Sequence, residues 1–352
     1  MLSVSAAGIS LVALSLAALA QNPTALGQHG SKGYQSHCNY IGARHAMSFT
    51  PGAMIENFLV TTGDPDSRRF IVQVPSSYQA NRGPYPVVYM LHGTGQSAGD
   101  MANNLSWDEL GEAMSFIVVF PEALEYDLQD GTRRTKWATD NVANNVVEPY
   151  ELPMADDVLF IRELHNTLGA HLEIDCERVY ASGFSNGGGF VKSKIRVHLA
   201  DVFAATSNAG GLGIQVSTPG EFFPSNGFDF RPHFEILGDK DSNKKEACVL
   251  AGDLLPGENL PIAAADIIAT PCMWTPLTAL AEEMGMDPAS FLVVEQGTRT
   301  MFQWHLETLP SPHTREYRFV ILHNLTHEYP SGTNYPIDYA PIYYDWMMQY
   351  TR

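Results

Sequence analysis

Val179-Tyr180-Ala181-Ser182-Gly183-Phe184-Ser185-Asn186-Gly187-Gly188-Gly189-Phe190 is the stretch on which the fold turns. A short apolar strand runs into Gly-x-Ser-x-Gly, Gly183 to Gly187, and a helix-capable run follows. The spacing has a steric reason. A serine held on a tight strand-to-helix turn projects its hydroxyl clear of the backbone. Glycines flank it because strand and helix approach too closely there for a Cβ. The following helix aims its N-terminus at the place where a negative oxygen would form.

Upstream, Val87-Val88-Tyr89-Met90-Leu91 is a continuous apolar run, as expected for a strand buried on both faces. It delivers His92-Gly93-Thr94-Gly95-Gln96. A His-Gly-x-Gly loop directly after a central strand can bind an oxyanion through backbone N–H groups, which is why it needs glycines. The expected donors are the N–H groups of Thr94 and Asn186, with His92 packing the loop. Further strands are predicted at 55–61, 69–74, 116–120, 178–181, 202–207, 233–237 and 317–322. The first two suit an antiparallel edge. Helices are predicted at 107–114, 158–171, 275–284 and 342–350, with Asp156-Asp157 capping the second. Strands alternating with helices predict an α/β chain with a mostly parallel sheet covered on both faces. With the serine turn, this is the α/β-hydrolase fold.

In that fold the nucleophile is followed along the chain by an acid and then a histidine. Ser185, the pair Asp239/Asp241 and the pair His323/His327 follow this order. The acid and histidine candidates lie just past the C-terminal ends of predicted strands, where such sheets place their chemistry. A serine hydroxyl needs an imidazole to take its proton, and the imidazole needs a carboxylate to fix its tautomer. Residues 242–314 separate acid from histidine by far more than one helix requires, and predict an insertion capping the site. Trp274, Phe302 and Trp304 in it are candidates for lining a pocket or for packing the insertion onto the sheet. Trp137, in the irregular stretch 124–153, is a candidate for the pocket rim.

The runs Val74-Pro75-Ser76-Ser77-Tyr78, His92-Gly93-Thr94-Gly95-Gln96-Ser97, Asp156-Asp157-Val158 with Phe160-Ile161, and Gly183-Phe184-Ser185-Asn186-Gly187-Gly188 together resemble the secreted polyhydroxybutyrate-depolymerase and feruloyl-esterase family of α/β-hydrolases. The family's acid ends a Gly-x-x-Asp motif, which implies Asp241 in Gly238-Asp239-Lys240-Asp241, leaving Asp239 to hydrogen-bond the loop. Its histidine sits in a Gly-Gly-His-x-Trp-Pro-Gly turn, which matches Leu325-Thr326-His327-Glu328-Tyr329-Pro330-Ser331 and implies His327, with His323 the alternative. Leu325-Thr326 replaces Gly-Gly and Tyr329 replaces Trp, so the histidine loop is expected to differ in shape. Tyr329 joins Trp137, Trp274 and Trp304 as an expected substrate-binding residue.

The chain has 352 residues and a formal net charge of -18, a surface that repels phosphate backbones and anionic membranes. Met1 to Ala20 is apolar and ends in Ala-Leu-Ala, which reads as a signal peptide for secretion, although it lacks a Lys or Arg. Residues 21–50 read as a loose arm and 51–352 as one catalytic domain. Four cysteines, Cys38, Cys176, Cys248 and Cys272, predict two disulfides, with Cys248–Cys272 favoured by proximity. Asn104 and Asn324 begin glycosylation sequons. The expected protein is a monomeric secreted serine esterase that needs neither metal nor organic cofactor. The resemblance implies polymer-linked esters, first hydroxycinnamoyl esters of plant cell-wall polysaccharide, then hydroxyalkanoate polyester or acetyl xylan. A peptidase and a non-catalytic binding protein on the same scaffold are the rival readings.

Overall fold

The computed structural model describes residues 46–61, 67–139, 146–147, 156–211, 231–306 and 315–352. The expected signal peptide, nearly all of the expected arm and Cys38 lie outside the described residues, as does part of the 124–153 stretch. The strands are β1 (Ala53–Leu59), β2 (Arg68–Val74), β3 (Tyr85–Leu91), β4 (Ile117–Pro121), β5 (Glu125–Asp127), β6 (Arg133–Thr135), β7 (Ile174–Phe184), β8 (Ala205–Ala209), β9 (His233–Gly238), β10 (Leu292–Gln296), β11 (Arg299–Leu306) and β12 (Arg315–Leu322). The helices are α1 (Ala98–Asn104), α2 (Trp107–Met114), α3 (Asp157–His171), α4 (Ser185–Phe190), α5 (Arg196–His198), α6 (Ser242–Leu250), α7 (Ala264–Ala269), α8 (Pro271–Glu283) and α9 (Tyr339–Met347), with a π-helical turn, Val191–Ile195, joining α4 to α5.

Among the described residues ten strands form one sheet in the order β1-β2-β4-β3-β7-β8-β9-β12-β11-β10. The six from β4 to β12 run parallel. The pair β1 and β2 makes the expected antiparallel edge. From β4 the chain returns to the opposite side of β3 to form β7. The C-terminal ends of β3 and β7 therefore flank a topological switch point, where such sheets form their crevice. This is the α/β-hydrolase fold.

Alternate residues of each central strand serve opposite faces. Val88, Met90 and Tyr180 pack with Trp107 of α2 and Tyr343 and Trp346 of α9. Val87, Tyr89, Leu91 and Val179 pack with Phe160, Ile161 and Leu164 of α3 and with Phe190 after the serine turn. Apolar residues on both phases are what a strand covered on both sides requires.

The insertion departs from the expected cap. Its second half is a hairpin, β10–β11, that extends the sheet antiparallel beyond β12. Its helices lie on one face of that extension, where Met273, Leu277 and Leu280 of α8 pack against Phe302, Trp304, Tyr317 and Phe319. The Cys248–Cys272 disulfide, with Cα atoms 5.4 Å apart, ties α6 to α8 as expected. Cys176 is also disulfide-bonded. Asn104 and Asn324 are both exposed.

Asp156 caps α3 by accepting from Leu159 N–H, but its neighbour does something else. The Asp157 carboxylate accepts from the Arg68 guanidinium at 2.7 Å, and both side chains are fully buried. Asp157 also accepts from Ala138 N–H at 2.6 Å, and Arg68 lies 4.0 Å over the Phe160 ring. Removing one partner of a buried pair leaves the other charge uncompensated. Asp157→Ala is expected to lower unfolding stability by about 3–5 kcal/mol, measured by urea denaturation. A loss typical of an exposed pair, below ~1 kcal/mol, would contradict this account.

Candidate active site

Strand β7 ends at Phe184, and Ser185 opens α4 with φ of 51°, a left-handed conformation rare outside glycine. The flanking glycines have measurable reasons. A Cβ on Gly183 would lie 2.6 Å from the carbonyl of Gly187, and one on Gly187 would lie 2.3 Å from the carbonyl oxygen of His92. Neither backbone has room to yield, so the turn that exposes Ser185 closes only with glycine at both places.

The acid and histidine arrive on two loops that are joined to each other. Asp239 N–H donates to Leu322 C=O, and Lys240 N–H donates to Leu325 C=O, both at 3.0 Å. The Asp239 carboxylate accepts from Asn324 N–H at 2.6 Å. Asp239 thus fastens the histidine loop, and burial pushes its carboxyl above the ordinary range. Asp241 faces the imidazole instead. Its Oδ1 accepts from Lys244 N–H at 3.0 Å, which caps α6, and its Oδ2 accepts from His327 Nδ1–H at 2.6 Å. His327 Nε2 lies 2.8 Å from Ser185 Oγ. The alternative base, His323, has its Nδ1 3.2 Å from Gly297 C=O. Of the two pairs read from the sequence, the structure brings Asp241 and His327 to the serine.

The loop after β3 shows how one amide is left open. Gly93 N–H donates to the Gln96 side chain at 2.8 Å, Gly95 N–H to Thr135 C=O at 2.9 Å and Gln96 N–H to Gly93 C=O at 3.2 Å. Ser97 N–H donates to Asp100 at 2.7 Å. Among the described residues, Thr94 is left as the amide of 93–97 with no protein acceptor. Asn186 N–H, in the first turn of α4, is an ordinary orphan of a helix start. The loop lies against the serine turn, since a Cβ on Gly93 would stand 3.2 Å from Ser185 Cβ.

His92 is structural, and its tautomer follows from its partners. Ala123 N–H donates to Nε2 at 3.0 Å, so the proton is on Nδ1, which donates to Gly93 C=O at 2.7 Å. Burial pushes its pKa down from 6.5 to about 4. Above pH 6.5 the ring is neutral in both folded and unfolded chains, and the stabilisation is complete. Between pH 6.5 and about 4 only the unfolded chain binds the proton. Stability is therefore expected to fall as pH drops through that window, by about 3 kcal/mol from this group. Urea midpoints from pH 7 to 4 check it; a flat profile would count against a neutral, buried His92.

The four aromatic residues expected to bind substrate are occupied elsewhere. Trp137 is fully buried, stacks on Phe190 at 5.4 Å and donates from Nε1 to His92 C=O at 3.0 Å. Trp304 is fully buried in the insertion's core and donates to Pro288 C=O. Trp274 packs there against Phe291 and Phe302. Tyr329 is buried, and its hydroxyl accepts from Trp107 Nε1–H at 3.0 Å. Large rings carry enough apolar area to be drawn into a core wherever one is near.

Sequence reading also passed over groups that touch the site. Gly210, with φ of 67°, lies beneath the imidazole, where a Cβ would stand 3.1 Å from His327 Cε1. Gln96, Thr135 and the Asn186 side chain hold the loop and turn, and nothing in their residue types announces it.

Residues 70–217 match the family described as Esterase PHB depolymerase. Poly(3-hydroxyalkanoate) depolymerase C of Paucimonas lemoignei is 29% identical over 149 residues, 42% of this chain and 32% of that protein. A bifunctional acetylxylan esterase/xylanase of Neocallimastix patriciarum is 25% identical over 143 residues, 41% of this chain and 18% of that protein. The chain thus matches about a third of the first relative's length and less than a fifth of the second's. Among solved structures, the acetyl xylan esterase from Aspergillus awamori aligns with a TM-score of 0.48 at 12% identity, covering 84% of this chain and 99% of that one.

Proposed function

We propose that this protein is a secreted serine esterase. The observation that carries the reading is the unbroken line from Asp241 Oδ2 through His327 to Ser185 Oγ, with contacts of 2.6 and 2.8 Å, at a serine whose backbone is held at φ of 51°. His327 takes the Ser185 proton as Oγ attacks the ester carbonyl. Asp241 keeps the imidazole proton on Nδ1 and stabilises the imidazolium. Thr94 and Asn186 N–H groups hold the oxyanion, where losing one donor typically costs about 2.7–4 kcal/mol. His327 then protonates the departing alkoxide, and water hydrolyses the acyl-enzyme by the same route.

The expected substrate is a polymer-linked ester. The hydroxycinnamoyl reading came from the family resemblance, and Trp137, Trp304 and Tyr329, which could have received an aromatic acyl group, are buried. The names of the two relatives support a short aliphatic acyl group, hydroxyalkanoyl or acetyl. We rank these first, ahead of ferulate. The test has two parts. A fluorophosphonate should label Ser185 and leave Ser185→Ala untouched. Acetylated xylan, poly-3-hydroxybutyrate and methyl ferulate should then be compared by product release. An inert serine would favour the binding-protein reading, and release from methyl ferulate alone would restore the hydroxycinnamoyl one.

A further inference from the structure

Two residues at the end of the β5–β6 hairpin, Thr135 and Trp137, between them touch both loops that carry the proposed oxyanion donors. Thr135 C=O accepts from Gly95 N–H at 2.9 Å, and Thr135 Oγ1–H donates to Gln96 C=O at 2.5 Å. Two residues on, Trp137 N–H donates to Asn186 Oδ1 at 2.7 Å, and Asn186 Nδ2–H donates back to Trp137 C=O at 3.2 Å. Trp137 Nε1–H reaches His92 C=O, and its ring is stacked and fully buried. The first loop follows β3 and the second opens α4, so the strut 135–137 bridges elements that come from different strands.

We propose that this strut sets the spacing of the two oxyanion donors, with Thr135 and the Asn186 side chain as positioning groups. A backbone N–H is placed only as well as its peptide is fixed. The Thr94 peptide is fixed on one side by Gln96 and on the other by Thr135. The Asn186 amide satisfies both the N–H and the C=O of Trp137, which alanine or glycine at 186 has no atoms to do. The serine turn and the loop therefore share one rigid reference, and the hole is preorganised before charge develops. The proposal rests on the serine-esterase reading.

The test uses the full chain, p-nitrophenyl acetate and kcat per serine titrated to completion with a fluorophosphonate. Asn186→Ala keeps the backbone donor and removes the tie. It is expected to lower kcat on the order of 10- to 100-fold, as a small misplacement does, with KM nearly unchanged. Thr135→Val should lower kcat and Thr135→Ser should restore it, since only the serine keeps the hydroxyl. A trifluoromethyl ketone forms an Oγ–C bond to Ser185, passes the serine proton to His327 and leaves its oxygen negative in the hole. Its inhibition should weaken by the same factor as kcat. The midpoint of the pH–rate profile should stay in place, because Asp241 and His327 are untouched. If Asn186→Ala does not fold, the Thr135 pair decides. Wild-type kcat and ketone inhibition in these variants, or a serine at 135 no better than valine, would overturn the proposal. An inert wild-type enzyme would instead overturn the esterase reading beneath it.

Discussion

Asp241→Asn is expected to lower kcat on the order of 10⁴-fold while leaving the fold intact. The reason lies in the second duty of this carboxylate. Asp241 Oδ1 accepts from Lys244 N–H and caps α6, while Oδ2 accepts from His327 Nδ1–H. An asparagine has one oxygen for two donors. Asparagine caps helices as well as aspartate does, so its oxygen goes to Lys244 N–H and stability should change little. Its NH2 then faces His327 Nδ1 and needs a lone pair there. The ring proton moves to Nε2, which must now donate toward Ser185 Oγ when the proposed mechanism requires it to accept. Turning the amide over sets its NH2 against Lys244 N–H, and leaving that donor unmade costs about 1–3 kcal/mol. The cap therefore biases the substitution toward the inactive tautomer. Steady-state kinetics on p-nitrophenyl acetate, with thermal unfolding alongside, check both halves. An activity within tenfold of wild type would mean that the carboxylate does not govern the tautomer.

The parts of the molecule legible from sequence are those where residue type is forced by geometry. Only glycine fits at 183 and 187, so the serine turn was visible as a pattern. The doubly apolar runs at 87–91 and 116–120 could hardly be anything but strands buried on both faces. The aromatic residues were not legible in the same way. A tryptophan in a core and a tryptophan in a pocket satisfy the same apolar preference, and only the tertiary neighbours of Trp137 and Trp304 tell them apart. The β10–β11 hairpin had a signal that went unread. On β11, just after the Gly297-Thr298 turn, Thr300, Phe302 and Trp304 alternate with less buried residues, and the expectation of a cap obscured the period of two. Asp157 shows a further limit. A carboxylate in a helix's first turn reads as a dipole partner, and its distant Arg68 leaves no local trace.

Gly238→Ala should displace His327 without touching any residue of the proposed triad. Gly238 ends β9 and precedes the acid, and its sequence role in Gly-x-x-Asp gives no hint of a contact across the site. A Cβ there would lie 2.1 Å from Leu325 C=O oxygen, 2.6 Å from its carbon and 2.8 Å from Thr326 C=O oxygen. These are backbone atoms, so the histidine loop itself must retreat. Leu325 C=O is also the acceptor for Lys240 N–H, and that bond is strained by the same movement. His327 stands two residues further on, 2.8 Å from Ser185 Oγ. A shift approaching 1 Å there costs on the order of 100-fold in kcat, and overpacking costs about 1–3 kcal/mol of stability. Gly297→Ala is the control, because a Cβ at Gly297 meets nothing within 4 Å. It should leave kcat at the wild-type value. Kinetics and urea denaturation of the two variants decide the matter. Equal behaviour of the pair would show that the histidine loop has slack at Leu325, and that the tight joint between acid and histidine loops is not what holds the imidazole in line.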